Sequence, residues 1–175
     1  METNNPLTDL KIPKMPVPMT ISQICIVVKD IDATMKTYTE TCGWGPWSVF
    51  EYRAPLLHDT LLRGKPTKFE MIGAETKVNG LGFELIQPVS GESIYQEHLD
   101  QFGEGVQHIA FMQHSWEDSA KFKEHWQKKG AEISMYGRIG ESIEFYYLDT
   151  HPLLKFVLES GSGHAIDLKP TRFYP

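Results

Sequence analysis

Residues 23–36 read QICIVVKDIDATMK, and residues 108–121 read HIAFMQHSWEDSAK. The two stretches superimpose without a gap. Apolar strand lies on apolar strand, the cap position Asp30 on Ser115, helix start on helix start, and Lys36 on Lys121. The agreement is one of pattern more than identity, which is how an internal structural repeat shows itself in a single chain.

Reading outward from the first copy, the helical spacing of IDATMKTYTETCGW ends at Gly43, and PWSVFEY returns to strand. A long polar loop, RAPLLHDTLLRGKPT, precedes two further strands, KFEMIGAET and GLGFELIQP, joined by the turn signal KVNG. This half reads βαβββ. After the second copy the helix stops at Gly130, and AEISMYGRI, SIEFYYLDT and LLKFVLES follow as strands, so the order repeats. The expectation is an α+β fold of two tandem βαβββ modules, residues 21–90 and 105–160. They are joined by a linker with a short helix (91–104) and flanked by an irregular Pro-rich arm (1–20) and a C-terminal tail (161–175).

Composition narrows the function. A chain of 175 residues, 41% hydrophobic and 23% charged, can bury a core as one domain or as two fused halves. Its net charge of −6, with no basic run to neutralise phosphates, argues against nucleic acid as a partner. Cys25 in an apolar strand and Cys42 beside a helix end form neither a disulfide framework nor a CxxC pair, which suits a reducing compartment such as the cytoplasm. The leader METNNPLTDLKIPKMPVPMT lacks the apolar core of a signal peptide, and no run approaches the roughly 20 apolar residues of a membrane span, so no membrane partner is expected.

Strand alternation then sorts four polar residues. Gln23 and Cys25 oppose Ile24, Ile26 and Val28; His108 opposes Ile109 and Phe111; Glu84 opposes Phe83 and Leu85; Glu159 opposes Phe156 and Leu158. The large apolar side of each strand belongs against a helix, so Gln23, Glu84, His108 and Glu159 share the other face. Repeat alignment sets Gln23 on His108 and Glu84 on Glu159. Taken singly, each is more simply a satisfied structural residue. Two glutamates facing one space are costly to bury as unpaired ions and call for a wet cavity, a partner or a metal. One amide oxygen, one imidazole nitrogen and two carboxylates suit a divalent ion such as Zn, Co, Ni or Mn, with two positions left for water or substrate and no thiolate among the donors.

These residues carry a resemblance. ISQICIVVKDIDATMKTYTETCGWGPW, GFELIQP, GEGVQHIAF and FVLES resemble the corresponding strands of the vicinal oxygen chelate superfamily, which includes glyoxalase I, methylmalonyl-CoA epimerase, extradiol dioxygenases and bleomycin-resistance proteins, over about residues 20–160. The resemblance implies a cupped mixed sheet with helices on its outer face and a metal at Gln23, Glu84, His108 and Glu159. That ligand order is found in some glyoxalase I enzymes, whereas ELIQPVSGES followed by GVQHIAF is more epimerase-like.

A metal with two open cis positions can hold both oxygens of a small bidentate carbonyl substrate and stabilise the enolate left when the neighbouring C–H is deprotonated. Glu159 or Glu84 would move the proton, with Glu159 preferred. The expected function is therefore a divalent-metal isomerase, epimerase or lyase without an organic cofactor. A noncatalytic small-molecule-binding protein of the same fold, or an extradiol-type dioxygenase, are the alternatives; Gln23 standing where a second histidine should be counts against the latter. Trp47 and Phe50, although aromatics of this kind are more often core, are candidates for the cavity wall, and Tyr147 for a donor to substrate oxygen, which would favour a bulky or aromatic substrate. His58 lies in the long loop, whose length suits a lid; it, His98, His114, His125, His151 and His164 read as surface. Arg63, Lys65 and Lys68 are the cations available at a cavity mouth for a CoA thioester. A homodimer is the expected assembly.

Overall fold

The computed structural model of the protein describes residues 13–163 and 168–175. The first half runs β1 (Gln23–Val27), α1 (Ile31–Cys42), β2 (Trp47–Tyr52), β3 (Leu57–Leu62), β4 (Lys65–Pro66), β5 (Phe69–Val78) and β6 (Leu81–Gly91). After α2 (Ile94–Phe102) the second half runs β7 (Gly105–Ala110), α3 (Trp116–Gln127), β8 (Ile133–Ile139), β9 (Ile143–Leu148), α4 (His151–Leu154) and β10 (Val157–Gly163), followed by β11 (Arg172–Tyr174). His164 lies outside the described residues. Among the described residues no helix is long and apolar enough to cross a membrane.

The helix signals act as their chemistry dictates. The Asp30 carboxylate accepts from the Ala33 N–H at 2.9 Å, and α1 ends where Gly43 takes the left-handed conformation at φ 69°. Ser115 does the same for α3, accepting from the Asp118 N–H at 3.1 Å. Ser115→Ala should therefore cost about 1 kcal/mol of stability, measured by denaturant unfolding, and Ser115→Asp should restore most of it.

All the strands join one eleven-stranded sheet in the order β11-β2-β5-β6-β1-β7-β10-β9-β8-β3-β4. Its register makes the repeat geometric. β1 and β7 run antiparallel, with Gln23 beside Ala110 and Cys25 beside His108. β6 lies parallel to β1 with Glu84 beside Cys25, and β10 parallel to β7 with Glu159 beside Ala110. Exchanging the halves carries Gln23 onto His108, Cys25 onto Ala110 and Glu84 onto Glu159 and leaves every one of these pairings unchanged. The two modules are thus related by a pseudo-twofold axis through the middle of the β1–β7 pair.

One side of the sheet packs on helices. Val28, Leu85, Trp47 and Val49 meet Ile31 and Met35 of α1, and Phe111, Leu158, Tyr146 and Leu148 meet Phe122 and Trp126 of α3. The opposite side gathers Cys25, Val27, Phe50, Tyr52, Ile86, Phe145 and Tyr147.

Three features differ from the sequence expectation. The segment read as a long polar loop is the β3–β4 hairpin, which leaves the first module and pairs along β8 of the second, Leu57 beside Ile139 and Leu62 beside Met135. Its apolar residues Leu56, Leu57 and Leu62 join the inner layer. The helix of the linker, α2, also belongs to the inner layer, through Ile94, Tyr95 and Leu99, whereas α1 and α3 cover the outer face, joined there by Leu154 of α4. β10 continues to Gly163, and the tail supplies β11, which pairs with β2 through Arg172 beside Val49. The outer edges of the repeated sheet, β2 and β8, are therefore both covered by the chain itself, which protects them from pairing with foreign strands.

Candidate metal centre

His108 stands at the middle of the inner face with two of the other expected ligands, Glu84 and Glu159, on either side of it. His108 Nε2 lies 3.0 Å from Glu159 Oε2 and 3.5 Å from Glu84 Oε2. His108 is fully buried, and the two glutamates are nearly so. Despite these short distances Nε2 makes no well-aligned hydrogen bond. The other ring nitrogen, Nδ1, is 2.5 Å from the Gln107 amide oxygen, which fixes the ring and leaves Nε2 as the nitrogen aimed at the carboxylates.

Around this core the register adds Cys25, Glu75 and Tyr95, which the sequence did not assign to the site, and gives Tyr147 a partner there. Cys25, fully buried, stands between Glu84 and His108 across the sheet, and its sulfur, a Glu84 oxygen and a His108 nitrogen all lie within 4.8 Å of one another. Glu75 is the cross-strand neighbour of Glu84. Tyr147 is the cross-strand neighbour of Glu159 and donates to its Oε1 at 3.1 Å, while the Tyr95 and Tyr147 hydroxyls are 2.6 Å apart. Under the pseudo-twofold, Glu75 and Tyr147 are equivalent places. Glu75 was legible in principle: it shares parity with the inner-facing Phe69 and Met71 along β5. The Tyr52 hydroxyl reaches Glu75 Oε1 at 3.3 Å with its ring lying across Gly73, where a Cβ would come within 2.8 Å of the ring.

Gln23 lies two residues before Cys25 on β1 and lines a cleft of about 370 Å³ with Phe50, Ser48, Glu75 and Gly82. Phe50 lines this cleft, whereas Tyr147 lies buried against Glu159. Trp47 does not line it, and this corrects the minority reading of its sequence. It is buried on the helix side, stacked on Tyr38 and donating from Nε1 to Thr39 Oγ1 at 3.1 Å, because its parity on β2 is opposite to that of Phe50. His58 is anchored in β3, with Nε2 2.8 Å from the Gly140 carbonyl and Nδ1 3.1 Å from Asp59. Arg63 is held by a bidentate pair with Glu97 at 2.7 and 2.6 Å.

The electrostatics are those of a cation site. Burial pulls the His108 pKa down, but the Glu159 and Glu84 carboxylates outweigh it and hold the imidazole up at about 9. Burial, reinforced by the charge of Glu84, raises the Glu75 carboxyl to about 7 against the hydrogen bond from Tyr52. Burial and then Glu84 push the Cys25 thiol well above its ordinary value. Without a metal, His108 is an imidazolium between two carboxylates, and that proton occupies the place of the ion.

The sign of the consequence is definite. His108 and Glu75 both bind protons more tightly folded than unfolded, so metal-free protein should lose stability as pH rises from about 5 towards 9, by roughly a few kcal/mol in denaturant titrations. Metal affinity should run the other way, rising with pH as the competing proton is lost. A flat stability profile for chelator-treated protein would contradict this charge arrangement.

A family model described as the glyoxalase/bleomycin resistance protein/dioxygenase superfamily matches residues 22–147. The chain belongs to this superfamily. Solved structures with the superfamily's cupped sheet align over most of the chain. A methylmalonyl-CoA epimerase in complex with methylmalonyl-CoA and NH4+ is 21% identical, covering 88% of this chain and 100% of its own, with TM-score 0.54. Methylmalonyl-CoA epimerase from Mycobacterium tuberculosis is 14% identical, covering 82% and 87%, with TM-score 0.53. A Streptomyces coelicolor methylmalonyl-CoA epimerase variant in complex with 2-nitronate-propionyl-CoA is 18% identical, covering 85% and 100%, with TM-score 0.52. At these identities the likeness is one of fold. No curated protein matches the sequence. A divalent metal is common in the superfamily, and the donors here fit one: a fully buried imidazole nitrogen without an aligned partner, flanked by two carboxylates.

Proposed function

We propose that this superfamily member is a divalent-metal-dependent isomerase or epimerase, or a lyase of the same chemistry, acting on a small bidentate carbonyl compound. The observation that carries the reading is the fully buried His108 Nε2 facing the carboxylates of Glu159 and Glu84 at 3.0 and 3.5 Å without a well-aligned hydrogen bond. His108, Glu84 and Glu159 would hold the ion, with Gln23 at the repeat-equivalent place of His108. Bound there, a divalent metal would polarise a substrate carbonyl and make the adjacent C–H more acidic.

The residues supply the proton traffic. Glu159 is the base: Tyr147 donates to Oε1 and orients the carboxylate, and the second-module side of the cup places it across the centre from Glu84 and Glu75. Burial raises the pKa of a further carboxyl on the first-module side, Glu75, which suits it to return a proton from the other direction. Removal by one carboxyl and return by another inverts the carbon; return by the same one exchanges its hydrogen without inversion. The buried, aromatic surround of Phe50, Tyr52, Tyr95 and Tyr147 limits water at the carbon acid.

Because the similar structures named above include epimerases bound to methylmalonyl-CoA and 2-nitronate-propionyl-CoA, a 2-substituted malonyl thioester is the first substrate to try. Metal-loaded protein in D2O should wash deuterium into C2 of methylmalonyl-CoA, followed by mass spectrometry, and interconvert its epimers. A protein that binds one equivalent of metal yet exchanges hydrogen in neither this thioester nor a 2-oxoaldehyde hemithioacetal would contradict the enzyme reading and leave a binding protein. A cytoplasmic homodimer is part of the same proposal; light scattering that returns a monomer mass would remove the dimer without touching the chemistry.

A further inference from the structure

The pseudo-twofold axis passes through a square of four inner-facing positions, Gln23, Cys25, His108 and Ala110, with Glu84 and Glu159 flanking it. The square is not symmetric. Where the second module has the methyl group of Ala110, the first has the thiol of Cys25. Both are buried, Cys25 completely, and Cys25 is the direct cross-strand neighbour of Glu84 on one side and of His108 on the other. Its sulfur, a carboxylate oxygen of Glu84 and a ring nitrogen of His108 lie within 4.8 Å of one another. A common ion needs only side-chain adjustment to reach them, since metal bonds of about 2.0–2.3 Å place neighbouring ligand atoms somewhat closer than that. The second observation is independent of the cysteine: the fully buried His108 Nε2 makes no well-aligned hydrogen bond and faces Glu84, the cysteine's cross-strand neighbour, at 3.5 Å, with Glu159 on its other side at 3.0 Å.

We propose that Cys25 is itself a metal ligand: its thiolate binds from the floor of the cup beside Glu84 and His108, and the centre takes a thiophilic divalent ion, Zn2+ or Co2+, in preference to Mn2+ or Mg2+. The inference rests on the metal reading of the site and adds a donor that the four-residue set lacks. As the ion enters, the S–H bond breaks, both its electrons stay on sulfur to form the S–metal bond, and the proton leaves to solvent. A mixed S, N, O donor set selects borderline-soft ions, whereas oxygen-rich sets suit Mn2+ and Mg2+. The pull of one soft donor on the first-module side would also draw the ion off the pseudo-axis, towards Cys25 and Glu84.

The test is cobalt. Full-length protein stripped with a chelator and titrated with Co2+ should develop a thiolate-to-cobalt charge-transfer band in the near ultraviolet, saturating at one equivalent. The band should vanish in Cys25→Ser and Cys25→Ala, which should still bind Co2+ but at least about tenfold more weakly, and should persist in Cys42→Ser, which changes the exposed cysteine. Circular dichroism of the two Cys25 variants separates loss of the ligand from loss of the fold, and the wild-type titration decides the matter even if both unfold. One equivalent of bound Co2+ without the band, or a band unchanged in a folded Cys25 variant, would overturn the cysteine ligand and leave the metal centre standing. Failure of the wild-type protein to bind Co2+ or Zn2+ at all would overturn both.

Discussion

Replacing His108 with alanine is expected to abolish stoichiometric metal binding and lower proton exchange by about 10³-fold, the scale of losing the group that stabilises developing charge. Among the described residues His108 is the one imidazole in the cluster, and the strands that carry the other donors are held in register. The same change should destabilise metal-free protein at neutral pH by about 3–5 kcal/mol, because it leaves Glu84 and Glu159 buried with no cation between them. Acid should rescue that loss, since protonated carboxyls need no counter-charge. His108→Gln, which keeps a polar donor but no charge, should show the stability loss and the metal loss together. Isothermal titration with Zn2+ and denaturant unfolding at two pH values measure both.

Glu159→Gln carries the second large effect. The amide oxygen can still accept from Tyr147, and the volume is kept, so the fold and a weakened metal centre should survive. Solvent deuterium exchange should nonetheless fall about 10²–10⁴-fold, the range of a lost general base. Glu84→Gln should weaken metal binding comparably but slow exchange per bound metal by much less. If Glu84→Gln gives the larger loss per bound metal, the two glutamates exchange roles, with Glu84 the base and Glu159 the anchored ligand.

Much of this architecture was legible because the repeat is written in local patterns. Asp30 and Ser115 announce their helices, and the apolar parity of Ile24, Ile26 and Val28, or of Ile109 and Phe111, assigns each strand its helix-facing side. Alternation alone then delivers Glu84, His108 and Glu159 to one face. Less visible was what depends on register between distant strands. Glu75 enters the site only because β5 pairs with β6 at that residue, and Cys25 only because β1 is sandwiched between Glu84 and His108. A single thiol carries no spacing signature, so the donor set read from sequence omitted it. The β3–β4 hairpin was hidden because LLHDTLLRGKPT has no clean alternation and pairs with a strand of the other module, where Leu57 and Leu62 find their partners. Trp47 is the converse case: it sits close to Phe50 in an aromatic run, but lying three residues apart on one strand gives the two opposite parity and different layers.

The repeat also explains why the centre is where it is. Two modules related by a pseudo-twofold must place equivalent side chains on either side of the axis, so a polar residue at one position of the unit appears twice and converges on itself. Glu84 and Glu159 meet for that reason, and His108 stands in a place where its mate is Gln23. The differences between mates, Cys25 against Ala110 and Glu75 against Tyr147, give the two sides of the cup distinct chemistry: a thiol and a titrating carboxyl on one, an anchored carboxylate on the other.

The most direct measurement is a crystal structure of the Co2+- or Zn2+-loaded protein with anomalous scattering recorded at the metal edge. One strong anomalous peak is predicted in the cup between the two modules, with His108 Nε2 and carboxylate oxygens of both Glu84 and Glu159 at about 2.0–2.2 Å. Absence of that peak at full metal occupancy elsewhere, with His108 still paired directly to the two glutamates, would contradict it.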